Sequence, residues 1–301
     1  MCTMGTKMMT DPDTPRTTPA EPRRVRAAAV QMDIRLGEVQ ANLLRVLELL
    51  EEAAGGGAQL VVFPECALSG YCFESLEEAR AAAISAGHSE HLRRFAARCA
   101  ELGVVGVLGF IEAGAGCFNS AIVAGEAPGS LFLYRKTHLP VLGFDRFATP
   151  GNALGVAETS WGRLGVLICY DVRFPEAARV LALKGADVIA LPTNWPVGAE
   201  SSPDFLTRAR AWENRVFLVA ANRVGVERGR RFIGRSQIVA PGGEVLCEAG
   251  PDEEAILHAD LDLGQARRKR IVYEPGAWEL DVIGGRRPDL YAPLLGQGRL
   301  E

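Results

Sequence analysis

Arg163-Leu164-Gly165-Val166-Leu167-Ile168-Cys169-Tyr170-Asp171-Val172-Arg173-Phe174-Pro175-Glu176 joins an apolar run to an Ala/Leu-rich segment. This stretch reads as strand, sharp turn and helix, with a thiol at the elbow. Pro175 suits the first helical turn, where its missing N–H costs nothing. The helix is then expected to begin next to Cys169, with its positive dipole end near the thiol. A turn of this kind lifts a side chain above the sheet edge and sets backbone N–H groups beside it, as a nucleophile attacking a carbonyl requires. An isolated Cys at the end of a core strand more often packs as a small hydrophobe. Two other segments change that reading.

Leu60-Val61-Val62-Phe63-Pro64-Glu65-Cys66-Ala67-Leu68-Ser69-Gly70-Tyr71 is a second apolar strand, broken by Pro64 and Gly70, which puts Glu65 at a strand tip. Leu133-Tyr134-Arg135-Lys136-Thr137-His138-Leu139-Pro140 ends a further apolar stretch in a cation. Taken singly, the Glu is a capping or solvated carboxylate and the Lys a surface charge. Taken together, an acid, an ammonium and a thiol at the C-terminal ends of three strands form one chemical kit. The carboxylate can take the thiol proton and return it to a leaving amine, while the ammonium steadies charge on the substrate oxygen. A free thiol has a pKa of about 8.5, so such activation is needed near neutral pH.

In these three motifs, in this order, the chain resembles the nitrilase superfamily of carbon–nitrogen hydrolases, whose signature is Glu, Lys and Cys. The resemblance spans roughly Val25 to Leu263 and includes Leu191-Pro192-Thr193-Asn194-Trp195-Pro196, Arg210-Ala211-Trp212-Glu213-Asn214-Arg215 and Gly234-Arg235-Ser236-Gln237-Ile238. It implies an α/β fold in the form of a four-layer αββα sandwich. It also implies catalysis by Glu65, Lys136 and Cys169 through a thioester, with the oxyanion held by Lys136 and the backbone N–H of Tyr170. Many relatives carry a further glutamate between the Lys motif and a Pro-Gly, here Pro150-Gly151; the nearest carboxylate in this chain is Asp145. That shorter side chain serves only if its backbone lies closer, and pairing with Arg146 is the alternative. Tyr71, Phe144, Asn194 and Trp195 lie beside motif ends and are expected to line the acyl pocket or to pack around it. Asp171, Arg173 and Glu176 are expected to form ion pairs around the nucleophile.

The wording Cys-Tyr-Asp-Val-Arg-Phe-Pro-Glu is similar to the amidase branches rather than to true nitrilases, where a Trp commonly follows the Cys. The expected activity is therefore hydrolysis of a small-molecule amide with release of ammonia. ω-Amides, N-carbamoyl compounds and simple aliphatic amides stay open as substrates. A nitrilase would use the same three residues, and a catalytically silent binding or scaffold protein on the same fold is the alternative of a different class.

With 301 residues, 48% hydrophobic and 23% charged, the chain can bury one large core. The expected division is a Thr/Pro/Met-rich flexible tail over residues 1–23, a hydrolase domain over 24–273, and a C-terminal arm over 274–301 that in relatives packs across a dimer. A net charge of −4 and the shortness of Arg228-Gly229-Arg230-Arg231 and Arg267-Arg268-Lys269-Arg270 argue against nucleic-acid binding. No run of about 18 apolar residues argues for a membrane span. Seven scattered cysteines without Cys-x-x-Cys spacing suit a reducing cytoplasm. The four histidines, of which His88 and His91 share one helix-like stretch, make no convincing metal site, so neither metal nor cofactor is expected. Gly55-Gly56-Gly57 precedes a strand instead of following one, contrary to a phosphate-binding loop.

Strand-like and helix-like runs alternate almost throughout, as in α/β proteins. Helices are expected over about Val39–Ala54, His88–Leu102, Pro175–Lys184, Pro203–Arg215 and Leu263–Arg270. Strands are expected at 25–31, up to Phe63, at 104–111, 119–124, 130–134, 187–191 and 216–222, and near 233–240, 244–248 and 255–260.

Overall fold

The computed structural model describes residues 24–87, 89–125 and 131–296. The expected tail over residues 1–23 lies outside the described residues, as does His88. The first half of the chain forms β1 (Arg24–Asp33), β2 (Leu60–Val62), β3 (Val105–Ala113), β4 (Cys117–Ala124) and β5 (Leu131–Arg135). It is followed by β6 (Val156–Glu158), β7 (Arg163–Val166), β8 (Val188–Pro192), β9 (Phe217–Ala221), β10 (Arg223–Val224), β11 (Val226–Glu227) and β12 (Arg230–Arg231). β13 (Gln237–Val239), β14 (Val245–Glu248), β15 (Ala255–Asp262), β16 (Arg270–Glu274) and β17 (Trp278–Asp281) complete the strands. The α-helices are α1 (Val39–Gly55), α2 (Leu76–Ala81), α3 (Glu90–Leu102), α4 (Pro175–Leu183), α5 (Thr207–Asn214) and α6 (Leu263–Arg267).

One sheet has the order β10-β1-β2-β3-β4-β5, with β15 also pairing β1; a second has the order β14-β13-β9-β8-β7-β6. Alternation of side chains along each strand divides the apolar residues among three layers. Ala27, Ala29, Val62 and Val107 of the first sheet face Val166, Val188, Ala190 and Val219 of the second. The intervening residues Ala28, Val30, Val61 and Leu108 pack instead against Leu43, Val46 and Leu50 of α1 and Phe95 of α3. On the far side, Leu167, Ile189 and Leu218 cover Ala178 and Leu181 of α4 and Ala211 of α5. The result is helix, sheet, sheet, helix. Each layer is held by apolar area removed from water, worth about 25 cal/mol per Å².

β1, β2 and β3 are parallel, β3–β4 and β4–β5 antiparallel, so β5 runs in the same sense as β3. β7, β8 and β9 are likewise parallel. Residues just past β2, β5 and β7 thus emerge at carboxyl ends of strands, where open α/β sheets place their ligands.

Several elements differ from the sequence expectation. A 3-10 turn over Cys169–Arg173 separates the thiol from α4, so the helix dipole starts at Pro175 instead of beside Cys169. The strand expected from 233 shortens to Gln237–Val239 because Gly234 and Arg235 both have positive φ, 56° and 58°, which takes the backbone out of the extended region. The helix expected over 203–215 is a π turn at Ser202–Leu206 feeding into α5, the wider turn starting where Pro203 has no N–H to donate. The last expected helix stops at Arg267, and β16 pairs with β17 from Arg270 onward, so residue 274 falls inside a hairpin. The arm exposes Trp278, Leu290, Leu294 and Leu295, and β16 leading into it exposes Tyr273. Among the described residues no helix is long and apolar enough to cross a membrane, and no three His, Cys, Asp or Glu side chains group so as to hold a metal ion.

Candidate active site

Glu65 lies three residues past β2 and is fully buried. Its backbone can sit so deep because Gly109 of β3 faces it: a Cβ there would run into Pro64 O, Cys66 N and Glu65 Cα. The next residue, Cys66, has φ of 50°, an unusual left-handed conformation that turns the chain sharply away. Lys136 follows β5 directly and is also fully buried. Its N–H donates to Asn119 O at 2.8 Å, and its ammonium donates to Glu65 Oε1 at 2.7 Å and to Asp145 Oδ2 at 2.5 Å.

Asp145 is therefore paired with Lys136, not with Arg146. Its reach is supplied by the backbone: residues Gly143–Phe147 form a 3-10 turn, and Phe144 N–H donates to Tyr71 O at 2.8 Å, drawing the turn against the site. Gly143 permits this approach, since it has φ of 43° and a Cβ would collide with the Tyr71 ring. Tyr71 hydroxyl in turn donates to Asp145 Oδ2 at 2.8 Å. Arg146 points elsewhere, donating to Phe73 O at 2.9 Å and lying 4.7 Å from the Phe147 ring centroid.

Asn119, in the middle of β4, escaped the sequence reading. Its amide donates to Glu65 Oε1 and to Asp145 Oδ1, both at 2.7 Å, so one side chain ties the two carboxylates together. Glu65 Oε1 thus receives two donors, whereas the buried Oε2 has none.

Cys169 has φ of 45° and sits at the start of its 3-10 turn, half-buried. The turn is fastened by fully buried Asp171, which accepts from Ile168 N–H at 2.9 Å, Tyr134 hydroxyl at 2.8 Å and His138 N–H at 3.0 Å, and lies 2.7 Å from His138 Nδ1. Asp171 therefore couples the Lys136 segment to the elbow. The expectation of ion pairs after the nucleophile holds for Asp171, which pairs with His138 when that ring is protonated, and is corrected for Arg173, whose side chain meets the Ser201 hydroxyl at 3.4 Å.

Burial pushes the Cys169 thiol up to about 12, helped by nearby Glu65 and offset in part by Lys136, Thr193 and the Asn194 N–H. The resting sulfur is a thiol, not a thiolate. Burial also raises Glu65 above the usual carboxylate range, with Lys136 opposing and Asp145 reinforcing the shift. Burial alone would lower Lys136, but Asp145 and Glu65 outweigh it and hold the ammonium well above its ordinary value. A raised carboxyl beside a neutral thiol is arranged to accept and return a proton.

Cys169 opens onto a cavity of about 1000 Å³ lined by Tyr71, Tyr170, Asn194 and Trp195 among others. Both polar side-chain atoms of Asn194 are buried without a partner. Phe144, expected near the pocket, does not line this cavity; it is fully buried and packs with Cys66, Tyr71 and Phe232.

The chain is similar to known proteins over most of its length. The Nitrilase of Pyrococcus abyssi is 41% identical over 254 residues, covering 82% of this chain and 93% of that protein. The crystal structure of a carbon–nitrogen hydrolase from Helicobacter pylori superposes with a TM-score of 0.80 at 28% identity, covering 92% and 99% of the two chains. A mutant amidase from Nesterenkonia sp. AN1, with the acetamide moiety of fluoroacetamide added covalently at its active-site cysteine, gives a TM-score of 0.73 at 28% identity, covering 90% and 97%. The carbon–nitrogen hydrolase family model matches residues 26–271. With this match, on a sandwich that brings Glu65 and Lys136 of one sheet together with Cys169 of the other at carboxyl ends of strands, the chain belongs to the carbon–nitrogen hydrolase family of the nitrilase superfamily.

Proposed function

We propose that the protein is a cysteine-dependent amidase that releases ammonia from a small amide through a thioester on Cys169. The observation that carries this reading is the state of Glu65: Oε1 is held by Lys136 and Asn119, and Oε2 is buried and unpartnered within electrostatic reach of the thiol. A purely structural cluster explains the site poorly, since burying these charges costs several kcal/mol per ion and an apolar group of similar volume packs as well.

In the first half-reaction the Cys169 sulfur bonds to the amide carbon as its proton passes to Glu65. The oxyanion is met by the third N–H of Lys136, whose other two are engaged by Glu65 and Asp145, and by the backbone N–H of Tyr170. Collapse breaks the C–N bond, and Glu65 hands its proton to the departing nitrogen, which leaves as ammonia. Water then attacks the thioester, Glu65 takes one of its protons, the carboxylic acid departs, and the sulfur recovers its hydrogen.

The test is ammonia release across primary amides, carbamoyl compounds and nitriles, with intact-mass spectrometry of quenched reactions. An amide should leave an acyl adduct on Cys169 that hydroxylamine removes. Nitrile hydrolysis is the second reading, favoured by the name of the Pyrococcus abyssi relative; it predicts a thioimidate about one mass unit lighter and higher kcat/KM for nitriles than for matching amides. Exposed Trp278, Leu290 and Leu295 on the arm support assembly as a homodimer, which sedimentation would check.

Two variants follow from the Glu65 assignment. Glu65→Gln should lose on the order of 10²–10⁴ in rate, and the acid limb of the pH–rate profile should vanish. In the parent enzyme activity needs the ionised carboxylate, so it should fall with decreasing pH at a value above the ordinary carboxylate range, because burial raises Glu65. Asn119→Ala should cost on the order of 10–100-fold in kcat by freeing Glu65 Oε1, with KM little changed and the acid limb moved to higher pH, since a donor to the carboxylate is gone. An unmoved acid limb would remove Asn119 from the catalytic network.

A further inference from the structure

We infer that Glu227 is a positioning residue for the reaction: its carboxylate fixes the Tyr71 backbone so that the Tyr71 hydroxyl stays on Asp145 and, through Asp145, keeps the Lys136 ammonium directed at the oxyanion. This rests on the reading of Lys136 as an oxyanion donor. Glu227 lies 156 residues beyond Tyr71 and closes β11, where it pairs with Arg230 of β12. The residues that follow it, Arg228 to Phe232, line the cavity above Cys169.

Glu227 is buried, and both its oxygens are committed. Oε2 accepts from two successive backbone N–H groups, those of Tyr71 at 3.0 Å and Cys72 at 2.8 Å, while Oε1 pairs with the fully buried Arg223. Charge compensation of Arg223 does not by itself require this carboxylate, because the guanidinium also donates to Asp33 Oδ1 at 2.9 Å and to Ile34 O at 2.7 Å. The segment that Glu227 holds is shaped to meet it. Gly70 has φ of 78°, and a Cβ there would come within 2.8 Å of Glu227 Oε1 and of Leu36 Cα. Two adjacent N–H groups on one oxygen fix the orientation of the peptide between them as well as its place.

What the Tyr71 backbone controls is the Asp145 turn. Tyr71 O accepts from Phe144 N–H at 2.8 Å, and the Tyr71 hydroxyl donates at 2.8 Å to Asp145 Oδ2, the oxygen that also holds the Lys136 ammonium at 2.5 Å. That hydroxyl has one proton and a second acceptor within reach, since Leu142 O lies at 3.2 Å. A small displacement of Tyr71 therefore turns the proton to the carbonyl. Asp145 Oδ2 is then left with the ammonium alone and draws it away from Glu65 and the oxyanion.

The experiment is a double-variant cycle on the whole enzyme, Glu227→Asp against Tyr71→Phe, with kcat and KM measured on the best primary amide. Aspartate keeps the charge beside Arg223 but is one methylene too short to hold the two N–H groups. Phenylalanine keeps the ring in the cavity wall and removes only the hydroxyl. Each single variant should lower kcat by on the order of 10- to 100-fold, the worth of one hydrogen bond to a charged group, with KM changed less than about threefold. In the Tyr71→Phe background Glu227→Asp should cost less than about twofold more, since no hydroxyl remains to be placed. Glu227→Gln reaches the N–H groups again and should recover most of the kcat lost by Glu227→Asp. Equal losses of kcat in both backgrounds, a loss confined to KM, or a Gln variant no better than Asp overturns the assignment. So does a Glu227→Asp protein that fails to fold, because the carboxylate would then hold the hairpin in the fold and not the hydroxyl on Asp145. A parent enzyme that turns over nitriles but no amide overturns the amidase reading alone, and the cycle is then read on the nitrile, where Lys136 has the same task. No turnover of either overturns both.

Discussion

Cys169→Ala should reduce hydrolysis of the best substrate by about 10⁴- to 10⁶-fold while leaving the melting temperature within a few degrees of the parent protein. The size of the loss follows from the covalent step. Without the sulfur, water would have to attack the amide directly, and Glu65 and Lys136 would retain only the smaller advantage of polarising the carbonyl. The fold should survive because a methyl group occupies part of the thiol's space, and the elbow is held by Asp171 through Ile168 N–H at 2.9 Å and Tyr134 hydroxyl at 2.8 Å, neither of which involves the sulfur. Cys169→Ser should be nearly as inactive. The thiol, pushed up to about 12, is already a demanding acid for Glu65, and an alcohol is several units weaker still. More than a few per cent of parental turnover in the Ala variant, measured on protein freed of parental enzyme, would end the nucleophile assignment. Iodoacetamide adds a second reading: a neutral resting thiol should alkylate slowly at pH 7 and faster as pH rises toward 12.

The ends of strands were the most legible part of the site. Glu65, Lys136 and Cys169 each follow an apolar run and precede a break, so local sequence marked each as lying at the C-terminal end of a strand, though not that the strands belong to two facing sheets. Asn119 carried no such mark. It sits mid-strand between Phe118 and Ser120, where alternation says only that it shares a face with Ala121, and its significance comes from two carboxylates, 54 and 26 residues away, brought to its amide by tertiary packing. Asp145 was legible as the nearest carboxylate but not as a reaching one. Its position depends on Gly143 lacking a Cβ against Tyr71, a contact between segments some seventy residues apart in sequence. Phe144 shows the same dependence in reverse: a residue adjacent to the site in sequence turned into the core.

The αββα layering was legible only through the family resemblance, since a strand such as Ala27-Ala28-Ala29-Val30 is apolar on both faces, its alternate side chains entering different cores, and carries no alternation to read. What local pattern missed lay where backbone conformation departs from regular values. Gly234 and Arg235 cut short an apparent strand, and the 3-10 turn after Cys169 interrupts an apparent strand-to-helix junction. The short helix α2, capped by Ser75 accepting from Glu78 N–H, is too brief for helical periodicity to register.

Lys136→Met should abolish activity and also destabilise the protein, and the pH dependence of the second effect identifies its cause. The side chain is fully buried between Glu65 at 2.7 Å and Asp145 at 2.5 Å. Removing the ammonium leaves two buried carboxylates facing each other with only Asn119 and Tyr71 as donors, a loss of about 3–5 kcal/mol for an uncompensated buried charge. For a chain of this size that corresponds to a melting midpoint lower by roughly 5–8 °C. Glu65, already raised by burial, would lose the ammonium that opposes the shift, so its folded-state pKa would stand further above its unfolded one. A raised folded pKa gives stability that is complete below the unfolded pKa and lost as pH rises through the folded value, so the deficit should be small near pH 5 and large near pH 8. Adding Glu65→Gln and Asp145→Asn to Lys136→Met makes the cluster neutral and should recover most of the lost stability at pH 8 with no return of activity. Catalysis should drop by at least the roughly 2.7–4 kcal/mol of one oxyanion donor. A Lys136→Met variant that melts and turns over like the parent would leave Lys136 outside the reaction. One that loses activity with a pH-independent stability deficit would mean that packing, not charge, was removed.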